Sequence, residues 1–222
     1  MIDYLVLIPI GYILGSMPFG IIAGWAFKRV DVREFGSGKT GMTNVLRTVG
    51  APAAALVLAL DVGKTIVAVV LARVLSDSHT VEAAAAIAVL IGHNWPVFIG
   101  FRGGRGTASG WGGLLILSLP SGMVALAIAI PVVLLTRYMS LVSIASATGG
   151  SVTLAVLAAT GHAPWSYVLF VAVGCPLVLL RHKDNIGRLL KGEERKLGQA
   201  AEGASDSRKV KQRRGSRWPR SA

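Results

Sequence analysis

The sequence predicts an all-α, polytopic membrane protein with about seven transmembrane helices, its N-terminus outside and its C-terminus in the cytoplasm. Hydrophobic residues make up 53% of the 222 residues, and 27 glycines are spread along the chain rather than collected in linkers. This composition is typical of an integral membrane protein. Apolar runs close to the roughly 20 residues that span a bilayer recur along the chain. Basic residues gather in alternate loops between these runs.

Five of the apolar runs are long enough to cross a bilayer. They cover about residues 2–27, 51–75, 81–99, 140–160 and 165–180. Two shorter runs, 107–119 and 122–136, are separated by Leu119-Pro120-Ser121 and predict two short or tilted helices. If this pair forms one re-entrant hairpin, five helices cross instead of seven. The first run carries Asp3 and lacks a basic leader region and an A-x-A site, which favours a retained helix over a signal peptide.

Basic residues set the expected orientation. They follow the first, third and fifth helices, as Lys28, Arg29, Arg33, Lys39, Arg47, Arg102, Arg105 and Arg137, and they recur after the seventh. The opposite loops hold Asp3, residues 77–79, Pro120-Ser121 and residues 161–163. Because cytoplasmic loops carry the excess of Lys and Arg, this distribution predicts an outside N-terminus and a cytoplasmic C-terminus.

Domain organisation and composition limit the function classes. Residues 1–195 are predicted to form the membrane domain, and 196–222 a basic, disordered cytoplasmic tail that supplies much of the net charge of +12. Attraction to anionic lipid suffices to explain this tail, and without interleaved aromatic residues no nucleic-acid partner is expected. The single cysteine, Cys175, excludes a disulfide framework, and no ligand set predicts a metal site or another cofactor.

Three cytoplasmic segments carry the candidate chemistry. They read GSGKTGMTNVLR (36–47), GHNWPVFIGFRGGRGTASG (92–110) and RHKDNIGRLLKGEER (181–195). Each combines glycine, small hydroxyl or amide residues and Arg or Lys, whereas carboxylates are few and mostly peripheral. Glycine-rich backbone, guanidinium groups and helix N-termini, expected here just after Gly41 and Gly106, all bind phosphate. GSGKT is not a P-loop, because Arg33 stands where its first glycine belongs and no βαβ unit surrounds it.

Plainer roles remain open for several of these residues. Ser37, Thr43 and Asn44 also suit helix capping, and the charges of Arg102 and Arg105 also suit the topology rule. His182 and Asn185 are three residues apart, which puts them on one helix face. His79 and His162 lie on the expected outer side and are predicted to be solvated.

The three segments resemble the signature motifs of the bacterial acyl-phosphate:glycerol-3-phosphate acyltransferases, the PlsY family. The family pattern runs roughly GSGNxGATNxxR, GHxxPVFLxFKGGKGVA and RHxxNIxRLLxGxE. A fourth segment, RYMSLVSI at 137–144, also resembles the family. The resemblance extends from the first helix to about Arg195. Arg102 and Arg105 replace the usual Lys, Lys39-Thr40 replaces Asn-Pro or Asn-Ala, and Met42 replaces Ala.

The resemblance implies transfer of a fatty acyl group from acyl phosphate to the sn-1 hydroxyl of glycerol 3-phosphate. The products would be lysophosphatidic acid and inorganic phosphate, in the first acylation step of phospholipid biosynthesis. It further implies a bacterial inner membrane protein whose active site faces the cytoplasm, with acyl phosphate, glycerol 3-phosphate and membrane lipids as partners. The rival interpretation is a transporter of a phosphorylated solute, whose motifs would be expected near the bilayer midplane in repeated halves. Acyl-chain preference and oligomeric state stay open.

The resemblance also assigns residues. Those expected around glycerol 3-phosphate and the reacting groups are Ser37, Arg47, Arg105, Ser140, His182 and Asn185. Those expected to hold the acyl-donor phosphate are Thr43, Asn44 and the N–H groups from Gly103 through Gly104 to Gly106. Further expected substrate contacts are His93, Arg102 and Ser143. The proton acceptor would be the donor's own phosphate, with His93 or His182 as the alternatives from the protein.

Overall fold

The computed structural model describes residues 2–199, and every regular element among them is helical. The α-helices are α1 Ile2–Gly15, α2 Phe19–Lys28, α3 Met42–Thr48, α4 Ala51–Leu75, α5 His79–Asn94, α6 Thr107–Leu117, α7 Leu119–Thr136, α8 Met139–Ala159, α9 Val168–Arg181 and α10 Lys183–Leu190. Short 3-10 helices cover Val32–Glu34, Val97–Ile99 and Trp165–Tyr167. The all-α prediction is therefore confirmed for this part of the chain.

Five helical stretches are long and apolar enough to cross a membrane. They are Asp3–Lys28, Ala51–Leu75, His79–Ile99, Leu119–Thr136 and Met139–Ala159. A sixth is obtained if Trp165–Arg181 and Lys183–Leu190, bent by 56° at their junction, count as one span. Thr107–Leu117 is apolar, but its 11 residues are about half of what a bilayer requires. The count of seven and the orientation of the termini remain predictions.

Two predicted boundaries differ from those observed. The first apolar run is broken between α1 and α2, where Pro18 disfavours helical backbone at the residue before it. The break expected at 119–121 lies at Ser118 instead, and α7 begins directly at Leu119. Pro120 belongs to the first turn of α7, where proline is tolerated because its missing N–H has no intrahelical partner.

The predicted tail begins inside the packed part of the chain. The Leu197 N–H donates to the Arg137 carbonyl at 2.7 Å, and Arg137 Nη2 donates back to the Leu197 carbonyl at 2.8 Å. The Lys196 ammonium lies 5.6 Å from the centre of the Tyr138 ring. Residues 196–199 thus pack against the start of α8. The remainder of the predicted tail, 200–222, lies outside the described residues.

Helices α1 and α5 pack closely because glycines face each other. A Cβ atom at Gly15 would overlap the Val89 carbonyl of α5, and one at Gly92 would overlap the Tyr12 carbonyl of α1. In a membrane, where lipid tails are as apolar as leucine, small residues let helix backbones approach and gain van der Waals contact. This packing places the end of α5 beside the break between α1 and α2.

A buried carboxylate joins the far ends of α4 and α5. Glu82 Oε2 accepts hydrogen bonds from Arg73 Nη2 at 2.7 Å and from the Tyr167 hydroxyl at 2.9 Å. Its other oxygen lies 3.0 Å from His79 Nδ1. The prediction that His79 is simply solvated is therefore incomplete, because its ring is half-exposed and also bound to Glu82. This network lies at the end of the helices that the charge pattern predicts to be outside.

Packing at Gly15 gives a test of the α1–α5 contact. Gly15→Ala should destabilise the protein by about 1–3 kcal/mol, because an added methyl group meets backbone atoms that cannot rotate away. Gly63→Ala is the matched control, since a Cβ atom there meets nothing within 4 Å. It should leave stability unchanged or raise it by up to about 1 kcal/mol. Thermal unfolding of both variants in the same detergent measures the difference, and equal midpoints would contradict the close packing.

Candidate functional site

A cavity of about 370 Å³ lies where α3, α8, α10 and the loop before α6 converge. Most of the predicted site residues line it, namely Ser37, Thr43, Asn44, Arg47, His93, Arg105, Gly106, Ser140, Ser143, His182 and Asn185. The predicted helix starts after Gly41 and Gly106 are confirmed, since α3 begins at Met42 and α6 at Thr107. Segments far apart in sequence therefore form one pocket, as the three motifs predicted.

Asn44 organises the loop between α2 and α3, the first loop, rather than capping a helix. Its Nδ2 lies within hydrogen-bonding distance of three loop carbonyls, those of Val32 (2.7 Å), Lys39 (2.9 Å) and Phe35 (3.1 Å). Its Oδ1 accepts the Ser37 N–H at 3.1 Å. The α3 N-cap is Gly41, which has no side-chain capping bond, so the capping interpretation is wrong for Asn44. Because its amide is occupied by the loop, Asn44 shapes the loop instead of offering a free donor.

The loop between α5 and α6, residues 95–106, is called the second loop here. Its glycines allow close packing. The Gly104 N–H donates to the His93 carbonyl at 3.1 Å, so it is not available to a phosphate as the resemblance implied. A Cβ atom at Gly103 would overlap that same carbonyl, and neither Gly103 nor Gly104 lines the cavity. Only Gly106, with φ of +81°, lines it at the start of α6. The loop lies against the end of α5 and brings Arg105 to the cavity wall.

The two arginines of this loop have different positions. Arg105 lines the cavity, whereas Arg102 is exposed and does not. The described residues therefore do not bring Arg102 together with the other predicted site residues. Arg181 fixes the loop from the other side, where its Nη2 donates to the Gly104 carbonyl at 2.9 Å.

Among the described residues, three cations at the cavity wall lack a carboxylate partner. Lys39, Arg47 and Arg105 line the cavity, and within residues 2–199 none of them lies within ion-pair distance of a carboxylate. Burial lowers the pKa of Arg105 to about 10, and it also lowers the pKa values of Arg47 and Lys39. Arg105 therefore remains charged at neutral pH while it is poorly solvated. The Nε atoms of Arg47 and Arg105 are buried without a partner among the described residues. Such a cluster favours an anion.

Glu194 is a site residue that the sequence did not predict. Its carboxylate is 8% exposed and accepts hydrogen bonds from Ser140 Oγ at 2.9 Å, Asn185 Nδ2 at 2.7 Å and Arg188 Nε at 2.8 Å. Burial alone would raise its pKa, but these three hydrogen bonds outweigh burial and hold the pKa below its usual value. The expectation that carboxylates are peripheral is wrong here. The available signal was its position at the end of the third motif.

His182 is held with one nitrogen directed to the helix backbone. Its ring is 2% exposed, and Nδ1 lies 2.8 Å from the Val178 carbonyl. A carbonyl only accepts, so Nδ1 carries the proton and Nε2 keeps a lone pair. His182 and Asn185 both line the cavity, as their helical spacing predicted.

Two further charged residues were missed because they lie inside a span. Asp61 lines the cavity, and Lys64 lies 2.7 Å from Asp61 Oδ1 and 3.0 Å from His93 Nδ1. In the sequence Lys64 stands out only within Gly63-Lys64-Thr65, which is not a P-loop.

The remaining wall of the cavity is apolar. It is formed by residues of α4, α6, α7 and α8, namely Leu58, Trp111, Ala125, Leu126, Ala129, Ile130, Val133, Met139 and Val142. Apart from Asp61 of α4 and the serines of α8, polar and charged side chains come from loops, short helices and helix ends, whereas apolar side chains come from the bodies of the long helices. The cavity therefore suits an amphiphile with an anionic head and an aliphatic chain.

Comparison with known proteins agrees with this geometry. Residues 5–192 match the family model described as glycerol-3-phosphate acyltransferase. The glycerol-3-phosphate acyltransferase of Synechococcus sp. (strain CC9902) is 43% identical over 199 residues, which cover 90% of this chain and 98% of the relative. That of Thermoanaerobacter pseudethanolicus is 42% identical over 193 residues, with 87% and 95% covered.

Solved structures of an integral membrane glycerol 3-phosphate acyltransferase, PlsY, are also similar. The chain matches the glycerol 3-phosphate form with a TM-score of 0.79 and 32% identity, over 88% of this chain and 96% of that one. The lysophosphatidic acid form gives the same TM-score and identity.

The hydrogen bonds of Asn44 predict a specific loop defect. Asn44→Ala should increase hydrogen exchange at the Ser37 amide and its loop neighbours, because it removes the acceptor of that N–H and the donor to the loop carbonyls. Thr43→Ala is the matched control, since Thr43 also lines the cavity but makes no hydrogen bond to this loop in the described residues. Equal exchange in the two variants, measured by mass spectrometry, would contradict the organising role.

Proposed function

The chain belongs to the glycerol-3-phosphate acyltransferase family, and from this premise we propose that a fatty acyl phosphate is its acyl donor and the sn-1 hydroxyl its acceptor. The products are then lysophosphatidic acid and inorganic phosphate. One observation carries the proposal: three cations without carboxylate partners, among the described residues, stand at the polar end of a cavity whose other walls are apolar. This arrangement suits two phosphate groups and one acyl chain.

Each substrate has a set of complementary groups. Arg47 and Arg105 bind phosphate oxygens, because a guanidinium group contacts two oxygens at once. Lys39 adds a third positive charge, which offsets the repulsion between two phosphate groups in one pocket. Thr43 and the Ser37 hydroxyl complete the phosphate end, and the apolar side chains of α7 and α8 cover the acyl chain.

The glycerol portion lies beside Glu194. This carboxylate holds Ser140 and Asn185 in place, and both side chains retain hydrogen-bonding capacity toward a ligand. The Asn185 Oδ1 is buried without a partner within residues 2–199, which leaves an acceptor for a hydroxyl group. Ser143 lies one helical turn beyond Ser140 and extends the polar strip along α8.

The reaction needs positioning more than proton transfer by the protein. The sn-1 oxygen attacks the carbonyl carbon of the acyl phosphate, the bond from that carbon to the bridging phosphate oxygen breaks, and the hydroxyl proton ends on the departing phosphate. An acyl phosphate is a mixed anhydride with a good leaving group, so orientation and charge neutralisation provide most of the acceleration. His182 Nε2, with its lone pair, accepts a hydrogen bond from the attacking hydroxyl.

We place the enzyme in the bacterial inner membrane with this cavity at the cytoplasmic face. The support is the charge pattern, because Lys39, Arg47 and Arg105 occur in the loops that the positive-inside rule assigns to the cytoplasm. The two PlsY structures are described as glycerol 3-phosphate and lysophosphatidic acid forms, which are an acceptor and a product of this reaction type. No observation favours the transporter alternative.

Arg105 and Arg102 provide a matched pair of variants. Arg105→Ala should lower kcat/KM for acyl transfer by at least about 100-fold, as for loss of one preorganised donor at a charged transition state. Arg102→Ala should retain near wild-type activity, because Arg102 is exposed and away from the cavity. The measurement is phosphate release from acyl phosphate together with formation of lysophosphatidic acid, in folded purified protein.

The result also tests the rival functions. A transporter or a non-catalytic lipid-binding protein would release no phosphate in step with lysophosphatidic acid. Wild-type rates in a folded Arg105→Ala protein would refute the role of Arg105. If Arg102→Ala lost activity while Arg105→Ala kept it, Arg102 and not Arg105 would make the phosphate contact.

Glu194 gives a second test on the acceptor side. Glu194→Gln should raise KM for glycerol 3-phosphate by about 5- to 100-fold, because the neutral amide keeps one acceptor oxygen and holds Ser140 and Asn185 less firmly, at about 1–3 kcal/mol for the weakened charge-assisted hydrogen bonds. Glu193→Gln is the control, since Glu193 is exposed. Steady-state kinetics with each substrate varied separately measures the effect. An unchanged acceptor KM with a raised donor KM would contradict the placement of glycerol 3-phosphate beside Glu194.

A further inference from the structure

We propose that Asp61 and Lys64, an ion pair inside the α4 span, hold His93 in the tautomer whose Nε2 carries the proton, and that this N–H donates a hydrogen bond to the acyl donor. The identity of the ligand rests on the proposed function. The tautomer is a property of the protein alone, so the two parts are tested separately.

The geometry at Lys64 determines which ring nitrogen of His93 accepts. Both side chains of the pair are 3% exposed. The Lys64 ammonium lies 2.7 Å from Asp61 Oδ1, 3.0 Å from the Gly15 carbonyl and 3.0 Å from His93 Nδ1. An ammonium group has three N–H donors and no acceptor, so each of these contacts requires an acceptor on the other side. His93 Nδ1 therefore presents its lone pair, and in the neutral ring Nε2 carries the hydrogen.

Asp61 is the other group that faces His93 Nδ1. Its Oδ1 lies 3.3 Å from this nitrogen, which is longer than the 3.0 Å contact with Lys64. A proton on Nδ1 would turn the shorter contact into two donors facing each other. The role of Asp61 is then to keep Lys64 charged and oriented, and Lys64 in turn orients the ring.

The Nε2 edge of the ring packs against Gly104. A Cβ atom at Gly104 would overlap His93 Nε2. The Gly104 N–H is bound to the His93 carbonyl, so the second loop and the end of α5 are fixed relative to each other. His93 and Asp61 both line the cavity together with Arg105. Any larger residue at 104 would collide with the His93 ring and displace it from its position at the cavity.

The two cavity histidines consequently have opposite roles. His182 donates through Nδ1 to the Val178 carbonyl and keeps an acceptor at Nε2. His93 accepts at Nδ1 and keeps a donor at Nε2. A donor suits an oxygen of the acyl phosphate, whose negative charge increases as the carbonyl is attacked. An acceptor suits the attacking hydroxyl. His93 is therefore not the proton acceptor of the reaction.

The location of the pair supports a positioning role. Charged side chains within a membrane span are costly and commonly mark functional sites. A buried pair is often no more stable than apolar residues of similar volume, so stability alone gives little reason for it. The contacts of Lys64 with both His93 and the Gly15 carbonyl instead join α4 to the end of α5 and to the broken first span.

The first experiment measures the tautomer directly. Protein labelled with ¹⁵N-histidine, with His93→Gln to assign the signals, should show a protonated Nε2 and an unprotonated Nδ1 at His93. Lys64→Met leaves Asp61 buried without its partner and is prone to misfolding, so the main variant is Asp61→Asn/Lys64→Met. In this double variant the His93 signals should move toward a mixture of tautomers. Arg73→Met/Glu82→Gln, which alters the other ion pair between α4 and α5, should leave them unchanged.

The second experiment measures catalysis. Asp61→Asn/Lys64→Met should lower kcat/KM for acyl phosphate by about 10-fold or more while KM for glycerol 3-phosphate stays within about 2-fold, as for one misaligned donor. His93→Gln, whose amide N–H reaches near the Nε2 position, should retain more activity than His93→Ala.

Several results would overturn the inference. They are an unprotonated Nε2 in wild-type protein, unchanged His93 signals in the double variant, and equal activity of His93→Gln and His93→Ala. A different result would show that the proposed function is wrong. Wild-type protein would then give the expected His93 signals but release no phosphate when given acyl phosphate and glycerol 3-phosphate.

Discussion

The structure depends on the confinement of positive charge in a partly apolar cavity. Lys39, Arg47 and Arg105 stand at its wall, and burial lowers the pKa of each. Charges that have lost water are unfavourable until an anion binds, so the protein must hold them by other means. Asn44 fixes the loop that carries Lys39, and Gly103 and Gly104 seat the loop that carries Arg105 against α5. Contacts formed on folding thereby hold the cations in position, although their charges are neutralised only when an anionic substrate binds.

The sequence predicted the helices and the three segments because both signals are local. Apolar runs define spans, and glycines at 41 and 106 mark helix starts. The roles of Asn44 and Glu194 depend instead on contacts with residues elsewhere in the sequence. Ser140 meets Glu194 across 54 positions of sequence, and nothing in the spacing of either motif specifies that pairing. Arg102 and Arg105 have the same chemistry in sequence, and only the path of the loop separates an exposed arginine from a cavity arginine.

Two ion clusters connect α4 with α5, one at the start of α5 and one at its end. Arg73 and Glu82 meet at the end away from the cavity, and Asp61, Lys64 and His93 meet beside it. In a low-dielectric interior, breaking such contacts is more costly than forming them is favourable, so they oppose sliding of one helix along the other. Close glycine packing of α1 on α5 adds a third contact. The end of α5, and with it the Arg105 loop, is thus fixed relative to α4.

This fixed frame explains why the protein need not supply a strong base. A carboxylate such as Glu194, whose pKa is held below its usual value by three donors, is a poor proton acceptor and a good anchor. His182 has one nitrogen committed to the helix backbone, and His93 has one committed to Lys64. Each of these three side chains is held in one hydrogen-bonding arrangement by its neighbours. In the proposed reaction the departing phosphate gains basicity as its bond to carbon breaks, and a site built from fixed donors and acceptors allows it to take the proton.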